Sequence, residues 1–325
     1  MPQFQENIPL SDFSSYKIGG PARFFFEAEN EQEIAWAVHK ARSENTPIFI
    51  LGGGTNLLFG DQGFHGLVLR PAVRFLSIQG TLIFVGTDII MPELVETTVR
   101  YALSGLEWAG GLPGTVGGAI RGNAGCFGGE IKDVIESVKS FDIEEMKTVE
   151  RTASECAFGY RNSIFKQKHG TEIILSAVLK LKLKRGVEDE IRRDIDEKIA
   201  YRKERHPLEY PNIGSIFKNV PLEAVCGKGS EAYEAAVRDG KVSYKGSEFT
   251  VKTDPFPVIS AAKLISESGL RGMTRGGAAI SEKHPNFIVN TGGATAANVK
   301  DLIAIAKAAV LKKFAITLEE EPEIL

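Results

Sequence analysis

Three short stretches of the 325-residue sequence carry side chains suited to chemistry. In Phe158-Gly-Tyr-Arg-Asn-Ser a phenol stands beside a guanidinium on a turn. Tyr160 can donate to a sugar or a phosphate, and Arg161 offers a planar fork suited to a carboxylate. A tyrosine packed at a sheet edge beside an exposed arginine accounts for the pair equally well. In Pro211-Asn-Ile-Gly-Ser-Ile-Phe-Lys-Asn, Ser215 follows a glycine that lets the backbone turn sharply and aim the hydroxyl into a cleft. No Gly-x-Ser-x-Gly elbow or Asp–His partner accompanies it, which disfavours an acyl-transfer nucleophile and leaves a proton relay. The last stretch, Leu318-Glu-Glu-Glu-Pro-Glu-Ile-Leu, crowds four carboxylates together, the usual composition of a solvated acidic end. Arg202-Lys-Glu-Arg205 is explained by cations favoured at a helix C-terminus.

Two glycine-rich stretches have no reactive side chain, and their chemistry is that of bare backbone. Residues 110–129 contain nine glycines in twenty positions. A flexible linker would be rich in Ser and Pro and would not interleave Leu112, Val116, Ala119 and Ile120. Gly52-Gly-Gly-Thr-Asn56, the first of the two along the chain, is the other stretch. Backbone N–H groups in such loops can cradle a phosphate or pyrophosphate. Two loops some sixty residues apart can grip both ends of one extended cofactor, and a dinucleotide of flavin size fits better than a single phosphate. His65, near the first loop, reads as a loop residue, with covalent attachment of a cofactor left open.

The elements that must position these residues are set by periodicity. A strand is expected after Gly19-Gly-Pro, and a helix over residues 31–44, where Asn30-Glu-Gln-Glu33 has the form of a capping box and Ile34, Ala37, Val38 and Ala41 recur at helical spacing. A buried strand over 47–51 runs into the first glycine loop, so strand, helix, strand and glycine turn form a βαβ unit with its ligand loop at the strand's end. Gly52-Gly-Gly-Thr-Asn56 has neither the spacing of a dinucleotide fingerprint nor that of a P-loop. Further strands are expected over 57–59, 67–69, 75–78 and 82–85, and a helix over 91–103. Next come hairpin strands over 131–149, a strand over 172–183, and a charged helix to about residue 204 that opens a last domain. That domain holds an insertion over 222–254, a helix over 257–268, a glycine-punctuated loop over 271–279 and a strand over 287–290. A helix from Thr295 to Phe314 and a terminal strand over 315–325 close the chain. Domain limits of 1–72, 73–186 and 187–325 result.

Composition narrows the function classes. A hydrophobic content of 43% and a charged content of 25% are those of an ordinary soluble globular protein. A net charge of −3 gives no footprint for nucleic acid or an anionic membrane. The three cysteines, Cys126, Cys156 and Cys226, form no CxxC and lie near no His pair, which argues against a metal site or a disulfide framework and suits a reducing compartment. A cytoplasmic location, no membrane contact and no obligate protein partner are expected.

Taken in order, the motifs resemble those of the UDP-N-acetylenolpyruvoylglucosamine reductase family. The resemblance rests on Ser15-Tyr-Lys-Ile-Gly-Gly-Pro-Ala, Ile50-Leu-Gly-Gly-Gly-Thr-Asn-Leu-Leu, Gly111-Leu-Pro-Gly-Thr-Val-Gly-Gly-Ala with Asn123-Ala-Gly, Gly159-Tyr-Arg-Asn-Ser-Ile-Phe-Lys, Gly214-Ser-Ile-Phe-Lys-Asn, and Gly276-Gly-Ala with Ser281-Glu-Lys-His. It implies an α+β fold: an FAD-binding domain of the vanillyl-alcohol-oxidase type made of two α+β subdomains, with a C-terminal α+β substrate domain. It implies FAD and NADPH as cofactors and a UDP-sugar as substrate. By the resemblance, FAD would be held by Gly52, Gly53, Gly54, Thr55, Asn56 and Leu57, and by Leu112, Pro113, Gly114, Thr115, Gly117, Gly118, Ala119, Asn123, Ala124 and Gly125. Arg161 and a C-terminal glutamate would stabilise an enolate-like species, and Ser215 would protonate carbon. Tyr160, Arg205, Asn219 and Lys263 would bind the sugar nucleotide.

The chain departs from the family pattern at its end, where Pro322 stands in place of the usual valine. Ungapped spacing from Lys313-Phe314 assigns the carboxylate to Glu321, whereas the local string Glu321-Pro-Glu-Ile suggests Glu323; strand alternation puts both on one face. Spacing favours Glu321. Between the Tyr160 turn and the charged helix there is room only for a short hairpin, Gln167-Lys-His-Gly170, so the chain resembles the subclass without a long Tyr-bearing loop. Two other readings compete: a different FAD-dependent oxidase of the same fold, and a non-catalytic sugar-nucleotide-binding relative.

Overall fold

The computed structural model describes residues 2–325 apart from His169, Arg185, Val187 and Pro255. The chain divides into two compact units, one of residues 2–10 with Pro21–Gly54 and Gly63–Arg202, and one of Ser11–Gly20 with Thr55–Gln62 and Lys203–Leu325. Both mix helix and strand, so the fold is α+β.

The first unit is built on two sheets. One has the order Gln5–Pro9, Pro21–Ala28, Phe64–Pro71, Ile48–Ile50; its first pair is antiparallel and the others are parallel. The parallel pairs are joined by the helix Glu31–Ser43, whose Ile34, Ala37, Val38 and Ala41 are wholly buried with Phe26, Leu67 and Leu69. Asn30 caps that helix by accepting from Glu33 N–H at 2.9 Å. The Glu33 carboxylate, however, takes the N–H of Glu29 rather than of Asn30, so only half of the expected capping box forms. The second sheet is antiparallel, in the order Lys147–Thr152, Ile135–Asp142, Glu172–Lys180, Leu82–Gly86, Leu76–Gln79. From it Phe141, Ile173 and Leu175 join the cluster under Glu31–Ser43. A separate cluster gathers Val85, Ala177 and Leu179 with Leu94 of Met91–Arg100, Val116 and Ile120 of Val116–Gly122, and Ile191 and Ile195 of Glu188–Arg205. The helix expected over 91–103 stops at Arg100, because Ala102 turns to φ 53° and Leu103–Ser104 pairs with Lys182–Leu183. The expected hairpin at 167–170 includes His169, and the composition shift before the charged helix includes Arg185 and Val187, all outside the described residues.

The second unit is organised around the helix Ala296–Phe314, which begins with a full capping box of Thr295 and Asn298. Asp61 accepts from the N–H groups of Ala296 and Ala297 at 2.7 and 3.0 Å, a carboxylate satisfying orphan donors at a helix start. Val299, Leu302, Ala306, Val310 and Phe314 face a core shared with Tyr16, Phe217, Phe249, Leu264 and Ile280. Residues 222–254 fold into this core as the helices Glu223–Cys226 and Glu231–Asp239 and the hairpin Lys241–Tyr244 with Ser247–Lys252, with Phe249 buried edge-on to Phe314. Three expectations are corrected here. Residues 257–268 give a strand, Val258–Ile259, before the helix Ala261–Glu267. The loop at 271–279 holds a hairpin, Thr274–Arg275 with Ala278–Ile280, about the two-residue turn Gly276-Gly277. The terminal strand shrinks to Glu323–Ile324, paired in parallel with Leu57–Leu58, because Pro322 interrupts the ladder.

Candidate active site

In the first unit the two glycine turns meet backbone to backbone. A Cβ on Gly53 would stand 3.0 Å from Gly114 Cα and 3.2 Å from Thr115 N, so no side chain fits without moving main chain. Among the described residues, no protein group accepts from the N–H of Gly52, Gly53, Gly54 or Gly114. Gly54 is buried. Buried N–H groups are almost always paired, so a row of open donors over bare backbone fits an anionic ligand such as a pyrophosphate. The helix Val116–Gly122 starts beside them, with Thr115 Oγ1 accepting from Gly118 N–H at 3.4 Å and Gly117 N–H donating to Thr87 O at 3.0 Å.

That helix ends at Asn123, fully buried in the left-handed region at φ 44°. Its amide is spent on protein: Nδ2 donates to Gly159 O at 2.9 Å and Glu130 Oε1 at 3.1 Å, and Oδ1 accepts from Lys132 N–H at 3.3 Å. Asn123 therefore pins the glycine stretch to the Tyr160 turn. Ser163 adds a second tie, donating to Arg121 O at 2.6 Å while capping Ile164–Gln167. Between these ties Gly159 and Asn162 exchange main-chain bonds of 3.0 and 3.1 Å. Arg161, at φ 53°, donates from Nη1 to Gly125 O at 2.9 Å, its guanidinium 5.8 Å from the centre of the Tyr160 ring. A non-glycine residue at positive φ costs about 1 kcal/mol or more and is retained where its surroundings hold it.

In the second unit, residues 214–219 run beside the end of the chain. Glu321 N–H donates to Ile216 O at 2.9 Å, Lys218 N–H to Glu319 O at 2.9 Å, and Phe217 bridges Glu320. Ser215 and Glu321 thus lie on adjacent segments. Of the other carboxylates there, Glu319 pairs with Lys218 and Glu320 with Lys307. Asn56 donates from Nδ2 to Glu321 O at 3.4 Å and accepts from Glu323 N–H at 3.2 Å, which ties Thr55, Asn56 and Leu57 to the terminal segment. Asn219 Oδ1 accepts from Ala261 N–H at 3.3 Å at the start of Ala261–Glu267, the helix that carries Lys263. Lys263 pairs with Glu267 one turn on, and Arg205 lies exposed next to Glu204 at 3.0 Å.

With this geometry in view, the similarities to known proteins are informative. Residues 22–147 match the model of an FAD binding domain, and residues 206–325 that of the C-terminal domain of UDP-N-acetylenolpyruvoylglucosamine reductase. The reductase of Carboxydothermus hydrogenoformans is 36% identical over 98% of this chain and 93% of its own, and that of Caldanaerobacter subterraneus 35% over 98% and 92%. The crystal structure of the Thermus caldophilus reductase superposes with a TM-score of 0.75 at 31% identity, covering 99% of both chains. The chain belongs to the UDP-N-acetylenolpyruvoylglucosamine reductase family. Its architecture is the expected one, an FAD-binding portion followed by a C-terminal α+β portion.

Two residues of this reductase relative are invisible as site residues in the sequence. Helix capping is explanation enough for Arg202 there, yet its Nε donates to Gly110 O at 2.9 Å and its Nη2 lies 2.9 Å from Cys126 Sγ, with the guanidinium 5.3 Å from the Phe127 ring centre. It holds both ends of the long glycine stretch. Asn286 binds the segment after Ser215 through three hydrogen bonds. Neither has a sequence signal, since each acts on main chain 69 to 92 residues away. His65 lies exposed on the strand Phe64–Pro71 rather than on a loop. Among the described residues, no three His, Cys, Asp or Glu side chains are grouped to hold a metal ion, and no helix is long and apolar enough to cross a membrane.

Proposed function

We propose that this chain is the NADPH-dependent reductase that converts UDP-N-acetylglucosamine enolpyruvate to UDP-N-acetylmuramate for peptidoglycan synthesis. Similarity to the reductases over 98% of the chain carries the reading. It is an FAD enzyme, and the open N–H groups of the two glycine turns are suited to the cofactor's phosphates. Held at the two glycine turns, FAD would supply the hydride chemistry that links NADPH to the CH₂ carbon of the enolpyruvyl ether. The protein's own residues do the rest. Arg161 presents a guanidinium to the substrate carboxylate as negative charge builds there. Ser215 Oγ gives a proton to the carbon next to that carboxylate, and Glu321 holds the site's charge balance for that transfer. The bond from Glu321 N–H to Ile216 O supports Glu321 over Glu323, because it holds Glu321 beside the serine segment. Tyr160, Arg205, Asn219 and Lys263 are assigned to the sugar nucleotide. NADPH and UDP-sugars are cytoplasmic metabolites, and we place the enzyme there.

The two half-reactions test this. Under anaerobic conditions NADPH bleaches the flavin absorbance, and UDP-N-acetylglucosamine enolpyruvate restores it. Ser215→Ala slows the restoration by about 10²–10⁴-fold, the usual contribution of a general acid, and leaves bleaching and FAD content unchanged. Restoration at the native rate in this variant removes Ser215 from its role. Absence of any restoration by this substrate in the native protein removes the proposed reaction.

A further inference from the structure

We propose that Asn286 is a positioning residue for the proton-donating serine, holding the main chain after Ser215 in the one arrangement that also seats Glu321. The proposal rests on the roles given above to Ser215 and Glu321. Ile216 and Phe217 are 1% and 2% exposed, so their four main-chain polar groups need partners within the protein. Asn286 supplies three of them. Its carbonyl accepts from Ile216 N–H at 2.8 Å, its Oδ1 accepts from Phe217 N–H at 3.0 Å, and its Nδ2 donates to Phe217 O at 2.8 Å. The fourth group, Ile216 O, accepts from Glu321 N–H at 2.9 Å. One residue thus sets the orientation of the peptides on which both Ser215 and Glu321 depend.

An amide is the one neutral side chain that offers an acceptor and a donor side by side, and here it replaces a neighbouring strand. Asn286 itself is held rigidly. It is 3% exposed, it follows Pro285, and the N–H of Phe287 closes a turn onto His284 O at 2.9 Å. On the other side of Ser215, Ile213 is buried in the core. Gly214 sits at φ 84° with no atom within 4 Å of the place a Cβ would take, and its N–H is held by Asn212 Oδ1 at 3.0 Å. On its C-terminal side Ser215 is constrained through Asn286, which pairs three of the four main-chain groups that follow it.

The test compares Asn286→Ala, Asn286→Asp, Ser215→Ala and the double variant Ser215→Ala with Asn286→Ala, each as the FAD-loaded enzyme. Amide hydrogen exchange at Ile216 and Phe217 reads the clamp directly, and the two anaerobic half-reactions read its consequence. In Asn286→Ala, exchange at Phe217, which loses its side-chain acceptor, accelerates more than exchange at Ile216, whose acceptor is the main-chain carbonyl that alanine keeps, and restoration of the flavin by the enolpyruvyl substrate slows about 10- to 100-fold, the cost of a misplaced reacting group. Bleaching by NADPH stays within about two-fold, because the clamp touches only the protonation step. Asn286→Asp keeps the bond from Phe217 N–H but sets a buried carboxylate oxygen, which cannot donate, against Phe217 O, and gives a loss of the same kind at least as large as that of Asn286→Ala. The double variant is no slower than Ser215→Ala alone, since both changes remove the same step. Additive losses in the double variant, or a fall in both half-reactions together with the melting temperature, overturn the proposal and leave Asn286 a packing residue. Native-rate restoration in Ser215→Ala instead overturns the assignment of Ser215 itself, so the two failures are told apart.

Discussion

The imidazole of His284 packs against His206 and Phe287, with ring centres 5.6 and 4.8 Å away, and its Nδ1 is buried with no hydrogen-bond partner among the described residues. Burial, reinforced by the charges of Lys252 and Arg271, pushes its pKa from 6.5 down to about 4. The unfolded chain therefore takes up a proton that the folded protein refuses until the pH is much lower. This contribution is fully present above pH 6.5 and is lost as the pH falls through about 4, a swing of about 3 kcal/mol. Glu172 works in a lower window. Burial alone would raise its pKa, but the hydrogen bonds and charges of Arg151 and Lys168 outweigh it and lower the value from 4.5 to about 2. Its contribution, also about 3 kcal/mol, is present above pH 4.5 and lost as the pH falls toward 2. Urea unfolding measured against pH separates them: His284→Gln flattens the limb between pH 6.5 and 4, and Glu172→Gln lowers stability at pH 7 and flattens the limb below 4.5. An unchanged upper limb in His284→Gln refutes the first assignment. At this scale the sequence reveals residues whose own chemistry is distinctive, such as Tyr160, Arg161 and Ser215. It hides Asn286, Arg202 and His284, because an amide, a helix-end arginine and a histidine acquire roles only from partners distant along the chain.

At the scale of elements, the decisive contact is that of the two glycine turns. Gly53 faces main chain of Gly114 and Thr115, which no rotamer change can move aside. Gly53→Ala forces the turns apart by a few tenths of an ångström and turns the open N–H groups away from a shared ligand. An overpacking cost of about 1–3 kcal/mol corresponds to FAD binding weaker by about 10- to 100-fold. Gly52→Ala is the control, since its Cβ meets nothing closer than Thr115 Oγ1 at 3.5 Å, an ordinary contact. Fluorescence titration of the apoproteins with FAD checks both, and equal affinities for the two variants refute the close-approach argument. Elements with local signals were legible. Asn30 and Thr295 cap the helices they were expected to cap, and the buried residues of Glu31–Ser43 are the periodic ones. Elements whose pattern is short were not. Gly276-Gly277 is a two-residue hairpin turn between strands of only two or three residues, too brief for alternation to show. The carboxylates at 319–321 lie along 214–219 with little regular ladder, and nothing local distinguishes such an end from a solvated tail.

For the whole molecule, the two tryptophans offer a built-in reporter. Trp36 and Trp108 both belong to the first compact unit, and the second has none. Trp36 packs on Phe26 and Phe4, with ring centres 5.1 and 5.3 Å away, and Trp108 is 7% exposed beside the glycine stretch. A melt of the apoprotein monitored by the tryptophan emission maximum therefore reads the first unit alone, whereas far-ultraviolet circular dichroism reads both. A ligand that binds only the folded state stabilises it by about 2.7 kcal/mol at one hundred times its dissociation constant. For a unit of roughly 150–250 residues this raises the midpoint by about 5–10 °C. FAD is expected to produce a shift of that size in the tryptophan transition, and adenosine diphosphate, which keeps the pyrophosphate without the isoalloxazine ring, a smaller one in the same direction. The order of the two shifts is dictated by the site's construction, open N–H groups for the phosphates and glycine backbone for the flat ring system. An equal shift from both ligands would mean that the turns hold only the phosphates. No shift from either would mean that the first unit's glycine turns are closed upon themselves and do not hold the cofactor.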